Sequence, residues 1–424
     1  MRDILVTLIV FGSLPFILGR PAVGALMWVW ISVMNPHTQS WGFAQNFPYA
    51  YVIALATLLS VLLTRGPKSL PVTPISLLLL GFVLWMNVTT LFAMFPASAH
   101  EQWLKVMKIM LMSLVTMVAI RGREDVQRLI WVLALSLGYY GVKGGVFTVR
   151  SGGGERVWGP EGTFIGDNNA IALALIMAIP LMYYLRQSSG RPAVRHAMSA
   201  MMLLSALAAL GSYSRGGLLA IAAMVLFMWL RSGKKFAGGL LLAVLAPALL
   251  MFMPSSWSQR MDSITAYQAD DSAMGRINAW HMAFNLACDR IFGGGFEIAE
   301  PSTFFLYAPN PADIHAAHSI YFQVLGEHGF IGLGLYLLLL LFSWRSASWI
   351  VRHARSLPDW QWAYGLASML QASLLGFAVG GAFLSLVYFD VPYYLMAVII
   401  ATRALLEQHL NGAPHPIPGK EPPR

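Results

Sequence analysis

Apolar residues run in long stretches from one end of the chain to the other, at 4–19, 21–34, 49–64, 74–93, 101–120, 127–145, 168–185, 197–212, 215–230, 236–253, 319–343, 360–384 and 391–407. Roughly 15 to 25 apolar residues in a row are enough to cross a bilayer as a helix. The pattern predicts an all-α fold, a polytopic transmembrane bundle of 12–13 helices, with 4–34 counted either as two elements or as one broken element. It forms a single domain over 1–411 with no visible internal repeat. From Gly412 onward Pro414, Pro416, Pro418, Pro422 and Pro423 predict a disordered tail on the cytoplasmic side.

One polar interval is long, 254–317. Within it, residues 275–287 predict a helix with Ile277, Trp280, Phe284 and Ala287 on one stripe, capped by Asp271 or Ser272. Arg276, one turn from Trp280, is expected to point inward. The interval is expected to be a periplasmic loop with short helices that covers a site.

Composition agrees with the pattern. Of 424 residues, 57% are apolar and 11% charged, where a soluble chain carries about 25% charged residues. The net charge of +9 does not point to nucleic acid, because most basic residues fall in alternate short loops. Those loops hold Arg65 and Lys68; Arg121, Arg123 and Arg128; Arg186, Arg191 and Arg195; Arg231, Lys234 and Lys235; and Arg345, Arg352 and Arg355. The positive-inside rule puts them in the cytoplasm. It puts 35–48, 94–100, 146–167, 254–317 and 385–390 outside. The single cysteine, Cys288, excludes an internal disulfide. The first apolar run lacks a clear small-x-small cleavage site and is expected to be retained.

The informative cations are those on the outward side: Lys105, Lys108, Lys143, Arg150, Arg156, Arg215, Arg260 and Arg276. Ionisable groups at membrane depth are costly and face a cavity or a partner, although snorkelling to headgroups accounts equally well for Lys105, Lys108 or Arg150 alone. Arg215 sits in Ser214-Arg215-Gly216-Gly217, where the glycines admit close approach and a guanidinium can grip phosphate bidentately. A pyrophosphate is the anion available at that depth. Gly293-Gly294-Gly295 predicts a tight turn or a close approach to ligand; it lacks the Gly-Lys-Ser/Thr of a phosphate loop. Asp262, Asp270, Asp271, Glu297, Glu300 and Asp313 lie on the same side without an Asp-x-Asp, so a metal-independent site is expected. His318 closes the loop where an apolar helix begins, on the same side as Arg215 and Arg276, with His315 as its rival and Glu327 deeper and structural. A serine hydrolase pairing Ser214 with His318 is disfavoured, since Gly-x-Ser-x-Gly is absent.

Taken together, Ser214-Arg215-Gly216-Gly217, then Ser272, Arg276 and Trp280, then the glycines at 293–295, then His318-Ser319 with Glu327, Gly329 and Gly332 resemble the bacterial O-antigen ligase superfamily. That superfamily also holds polysaccharide polymerases and protein O-oligosaccharyltransferases. The likeness covers about 168–407, with Asp289-Arg290-Ile291-Phe292 where a proline usually precedes the glycines. Met1-Arg2-Asp3, Asn35-Pro36-His37 and Gly166-Asp167-Asn168-Asn169 look like the exosortase-associated ligases.

The resemblance implies an inverting glycosyltransferase of the bacterial inner membrane that uses neither metal nor cofactor. It would move a glycan from undecaprenyl pyrophosphate to a lipid A-core hydroxyl at the periplasmic face, in contact with membrane lipids. His318 would then be the general base, and Arg215 and Arg276 the catalytic cations on the donor pyrophosphate. Lys105, Lys108, Arg150, Arg156 and Arg260 are weaker candidates for the same anion, and His315 and Trp280 belong to the acceptor side and the loop. Two other classes compete. A lipid-linked glycan transporter would be expected to show inverted repeats or paired broken helices, and a structural envelope partner would leave the outward arginines unexplained.

Overall fold

The computed structural model describes residues 1–65, 68–233, 235–262 and 271–412. Lys234, Asp270 and the proline-rich stretch from 413 onward therefore lie outside the described residues. Each of the thirteen apolar runs is a helix. The first ten are α1 (Arg2–Gly19), α2 (Pro21–Met34), α3 (Tyr49–Leu63), α4 (Pro74–Leu91), α5 (Pro96–Ala119), α6 (Arg123–Arg150), α7 (Asn168–Ser188), α8 (Pro192–Gly211), α9 (Arg215–Arg231) and α10 (Lys235–Phe252). The long polar interval contains α11 (Ser255–Asp262), α12 (Asp271–Asp289) and α13 (Pro301–Tyr307). After it come α14 (Ile320–Ala354), α15 (Gln361–Gly381) and α16 (Val391–Leu410). Among the described residues nine helices are long and apolar enough to cross a membrane, and α2 and α3 are apolar but shorter. No strand occurs among the described residues.

Local chemistry sets many of the starts. Proline opens α2, α4, α5 and α8, where its fixed φ suits the first turn and its missing N–H is no loss. Thr73 and Ser76 form a reciprocal capping box at the start of α4. Arg20-Pro21 divides the N-terminal apolar stretch into two helices, with Arg20 2.7 Å from Asp125 at one end of the bundle. At the opposite end Arg2 donates to the Gln39 carbonyl at 3.2 Å, and the Ala44 N–H donates to Asp3 at 3.1 Å. The chain therefore starts at the end that carries the long loop.

α7 is the axis of the bundle, buried along almost its whole length and packed on α6, α8, α9 and α15. α6 meets α8 through Gly138, Gly141 and Gly145; a methyl on Gly145 would lie 2.3 Å from the Leu204 carbonyl oxygen. Small residues of this kind let helix backbones approach where no hydrophobic effect drives them together.

α14 is 35 residues long and breaks at Gly329, where φ is 67° and ψ is −173°. The break leaves carbonyls without their helical partners, a costly state at membrane depth. Gly294 N–H donates to the Gly326 carbonyl and Gly295 N–H to the Glu327 carbonyl, both at 2.9 Å, and Trp85 Nε1 donates to the His328 carbonyl at 2.8 Å. The glycine triplet is thus a tight turn as expected, and what it approaches closely is the α14 backbone. Gly293 and Gly295 have φ of 64° and 78°, which only glycine adopts without penalty. Arg290, just before the triplet, donates to the Gly293 carbonyl at 3.1 Å and the Phe92 carbonyl at 2.9 Å.

α12 forms where predicted, and the face it buries against the protein lies beside the stripe of Trp280 and Phe284. Gly275, Asn278, Ala279, Met282, Ala283, Leu286 and Ala287 are buried, whereas Trp280 is half-buried and Phe284 exposed. Small residues make the contact with α14, as where Ala283 faces Gly326. The large apolar side chains lie beside it, Phe284 edge-on to Phe330 at 6.0 Å.

Gly329→Ala is expected to lower the melting temperature of the purified protein in detergent, because its methyl would lie 2.4 Å from the Ile291 carbonyl oxygen at positive φ. The strain alone corresponds to about 1–3 kcal/mol. Gly334→Ala, with nothing within 4 Å of the new methyl, should be neutral or slightly stabilising.

Candidate functional site

The site is assembled around the N-terminus of α7. Asp167 caps that helix, accepting from the Asn169 N–H at 2.7 Å and the Ala170 N–H at 3.0 Å. Next to it the Asn168 side chain donates to the Ser212 carbonyl at 2.7 Å, tying α7 to the short connector between α8 and α9. In that connector Tyr213 has a φ of 60°. Ser214 caps α9 by accepting from the Gly217 N–H at 3.0 Å, which makes Arg215 the first helical residue. The two glycines after Arg215 serve packing: methyls there would lie 3.0 Å from Phe383 Cβ and Ser214 Cβ, and at Gly217 3.2 Å from Ala172 Cβ. Arg215 itself is half-buried.

The second wall comes from the long loop. Asn278 of α12 donates to the Asn310 and Asp313 carbonyls at 2.8 and 2.9 Å and accepts from the Asn310 N–H at 2.9 Å. Trp280 stacks on Phe322 at 5.0 Å, and its indole N–H donates to the Ala317 carbonyl at 2.7 Å. These contacts strap 310–318 onto α12. Gly275 leaves room for the His315 ring, whose Nδ1 would lie 2.6 Å from a methyl there, and Asp313 lies 2.8 Å from that nitrogen. His318 takes a φ of 41°, unusual for a residue with a Cβ.

The field at His318 shows what has been brought together. Burial pushes its pKa below the usual imidazole value, Arg276 pushes it further down, Asp167 opposes the shift and His315 adds to it. An aspartate from α7, an arginine from α12 and a second histidine thus all act on one imidazole. The sum favours the neutral ring at neutral pH.

The outward site residues divide into groups. Arg276, His315, His318 and Trp280 share the α12 wall. Arg215 lies on the connector side, where Arg260 donates to the Tyr213 carbonyl at 3.0 Å. Arg150 and Arg156 are elsewhere, lining a cavity of about 1250 Å³ that Arg215, Arg276 and His318 do not line. Lys105 rests over the Phe164 ring at 4.3 Å, and Lys108 is exposed on the same helix. Among the described residues no three His, Cys, Asp or Glu side chains converge as a metal site would require.

Two features were not singled out from sequence. Asp167 stood there only as part of a likeness, since nothing in its neighbourhood points to a histidine far along the chain. Beneath the site His328 is hydrogen-bonded to Thr89 and Tyr388, each at 2.7 Å, and Tyr388 donates to Glu327. The sequence signal was polar residues inside apolar runs, but their partners lie too far apart in the chain to be paired by inspection.

Residues 200–337 match the family described as O-Antigen ligase. Residues 1–190 match a family of unknown function, DUF5935. No curated protein is similar enough in sequence to match the chain.

The electrostatics make a directional prediction. Arg276→Ala should raise the titration midpoint of His318, and Asp167→Asn should lower it, as read from imidazole carbon NMR with His318→Gln for assignment. Because the folded pKa lies below the unfolded value of about 6.5, this histidine's stabilising contribution is complete above that pH. It is lost as pH falls from there through the folded value, where the unfolded chain binds more protons.

Proposed function

We propose, for a chain that belongs through residues 200–337 to the O-antigen ligase superfamily, that it is an inverting, metal-independent glycosyltransferase. It moves a glycan from undecaprenyl pyrophosphate to a lipid A-core hydroxyl at the periplasmic face of the inner membrane. The observation that carries the proposal is the convergence of Arg276, His315 and Asp167 on a His318 held neutral. The family match names no subgroup, and the acceptor is the finer part of the proposal.

In this mechanism His318 takes the proton of the acceptor hydroxyl as its oxygen attacks the anomeric carbon. The glycosidic bond forms as the bond to the pyrophosphate oxygen breaks, and the bonding pair leaves with the pyrophosphate. Arg215 and Arg276 meet the charge that develops there, so their attraction is stronger in the transition state than in the ground state. Arg276 acts twice, because the positive charge that attracts the leaving group also keeps His318 unprotonated and able to accept.

The test is transfer by the purified full-length protein, with lipid A core, free glycan and serine peptides as competing acceptors. Glycosylated lipid A core is the expected product; extension of free glycan or of peptide would reassign the chain to the superfamily's polymerases or protein transferases. Arg215→Ala and Arg276→Ala should each lower transfer by about 10²–10³-fold, with lysine rescuing only in part. His318→Ala should bind donor but lose about 10²–10⁴-fold. Wild-type transfer should survive EDTA and decline on acidification below the usual histidine pKa. Ordinary turnover in Arg215→Ala or His318→Ala would defeat the mechanism.

Sidedness has its own check. Cys288, the only cysteine and exposed on α12, should react with an impermeant maleimide from the periplasm. Asp359→Cys in a Cys288→Ser background should react only after the inner membrane is opened.

A further inference from the structure

The cavity of about 1250 Å³ is larger than a pyrophosphate needs, and its whole lining falls between residues 2 and 171. It therefore belongs to the segment that matches the family of unknown function, outside the O-antigen ligase match. Its wall carries four cations, Arg2, Lys143, Arg150 and Arg156. Among the described residues none of the four has a carboxylate oxygen within salt-bridge distance, and Glu161 is the single acid in the lining. Four cations gathered on one concavity repel one another, and an anionic ligand would relieve that repulsion.

Two tryptophans share the wall. Trp41 is 89% exposed and Trp158 61%. An indole face open to a water-accessible cavity is a stacking platform for the C–H face of a sugar ring, while Gln45 and Asn46 offer amide groups to its hydroxyls. The wall is also held in place. Tyr139 donates to the Gln39 side chain at 2.8 Å, and the same amide donates to Tyr140 at 2.7 Å. Across the cavity the Val157 N–H donates to the Gly211 carbonyl at 2.9 Å, and Tyr213 donates to the Gly153 carbonyl at 2.7 Å. A preformed wall lowers the ordering cost of binding.

We infer that this cavity binds an anionic saccharide, a sugar chain bearing phosphate or carboxylate groups, and serves as the acceptor subsite. The inference rests on the transfer reaction proposed above for its role, and on the cavity alone for its ligand. The link to the site is Tyr213: the Arg156 guanidinium lies over its ring at 5.7 Å, and Arg215 is two residues further along the chain. A saccharide lodged against Arg156 thus ends beside the connector that presents Arg215.

The experiment is calorimetric titration of the full-length protein in lipid nanodiscs with four probes: a phosphorylated oligosaccharide, tetragalacturonate, maltotetraose and inorganic pyrophosphate. One or both anionic saccharides should bind at least about tenfold more tightly than maltotetraose, the ratio expected from one charged hydrogen bond; which of them binds identifies the anionic group. The double variant Arg150→Ala/Arg156→Ala should lose that advantage, and Arg150→Lys/Arg156→Lys, which keeps the charge, should regain part of it. With the bound saccharide as acceptor, the alanine pair should raise the acceptor KM and leave the donor KM unchanged. Arg215→Ala should still bind saccharide while losing transfer. Equal binding of neutral and anionic saccharides, or undiminished binding by the alanine pair, would overturn the inference. So would loss of pyrophosphate binding together with a raised donor KM in that pair, which would make the cavity a donor site. Saccharide that binds as described but is not glycosylated, while lipid A core is, would leave the ligand assignment standing and overturn the acceptor role; no transfer to any acceptor would overturn the transfer reaction instead.

Discussion

The break in α14 is the constraint on which the loop end depends. A helix interrupted within an apolar environment must have its released carbonyls satisfied by protein groups. Here two of those groups are consecutive N–H groups of the glycine triplet, and the third is the Trp85 indole. The long loop is therefore fixed by backbone hydrogen bonds at the depth of Gly329, well below the helix start. With that anchor at one side and the Asn278 and Trp280 contacts at the other, α12 and residues 310–318 are held between two fixed points. His318, with its left-handed backbone, belongs to the segment so held.

That geometry sets Arg276, His315 and Asp167 around one imidazole, and their charges act on it in opposite directions. Asp167 acts on His318 from the α7 cap, where it is already committed to the Asn169 and Ala170 N–H groups. Its carboxylate charge is shared with the helix start, so it moderates the pull of Arg276 and does not reverse it; the net shift of His318 remains downward. In the proposed mechanism His318 must stay neutral to accept a proton, and burial and Arg276 favour that state while Asp167 opposes them.

Much of this was legible in the sequence, for physical reasons that also mark where legibility ended. Apolar run length and alternating basic loops depend on local composition, so all thirteen helices were found and the ends of most fell within a few residues. The order of Arg215, Arg276 and His318 was recognisable because motif residues stay in sequence order whatever the fold does. The face by which α12 packs on α14 was not legible, because close packing between helices favours glycine and alanine, whereas a sequence stripe is drawn through the largest side chains. Sequence gives Arg150 and Arg156 only the same side of the membrane as Arg215 and Arg276; that they line a cavity which those two do not is a matter of which loops meet. Arg2 could be placed in that cavity only once Asp3 and Gln39 fixed the first helix at the loop end.

The two halves of the chain meet at points that neither can supply alone. Val157 and Gly153 of the first half bond to Gly211 and Tyr213 of the second, Asn168 bonds to Ser212, and Thr89 bonds to His328 beside the break. The connector that presents Arg215 is therefore shaped by groups outside the O-antigen ligase match, and the α14 break is closed in part by Trp85 from the same half. If a substrate cavity sits on one side of that connector and the neutral histidine on the other, a change in the first half that shifts residues 153–157 must move Arg215 with it. Acceptor choice and donor chemistry are then coupled through one short stretch of backbone. The wall of the cavity is built from residues 2–171 and Arg215, Arg276 and His318 lie outside it, so the two can be altered by separate substitutions.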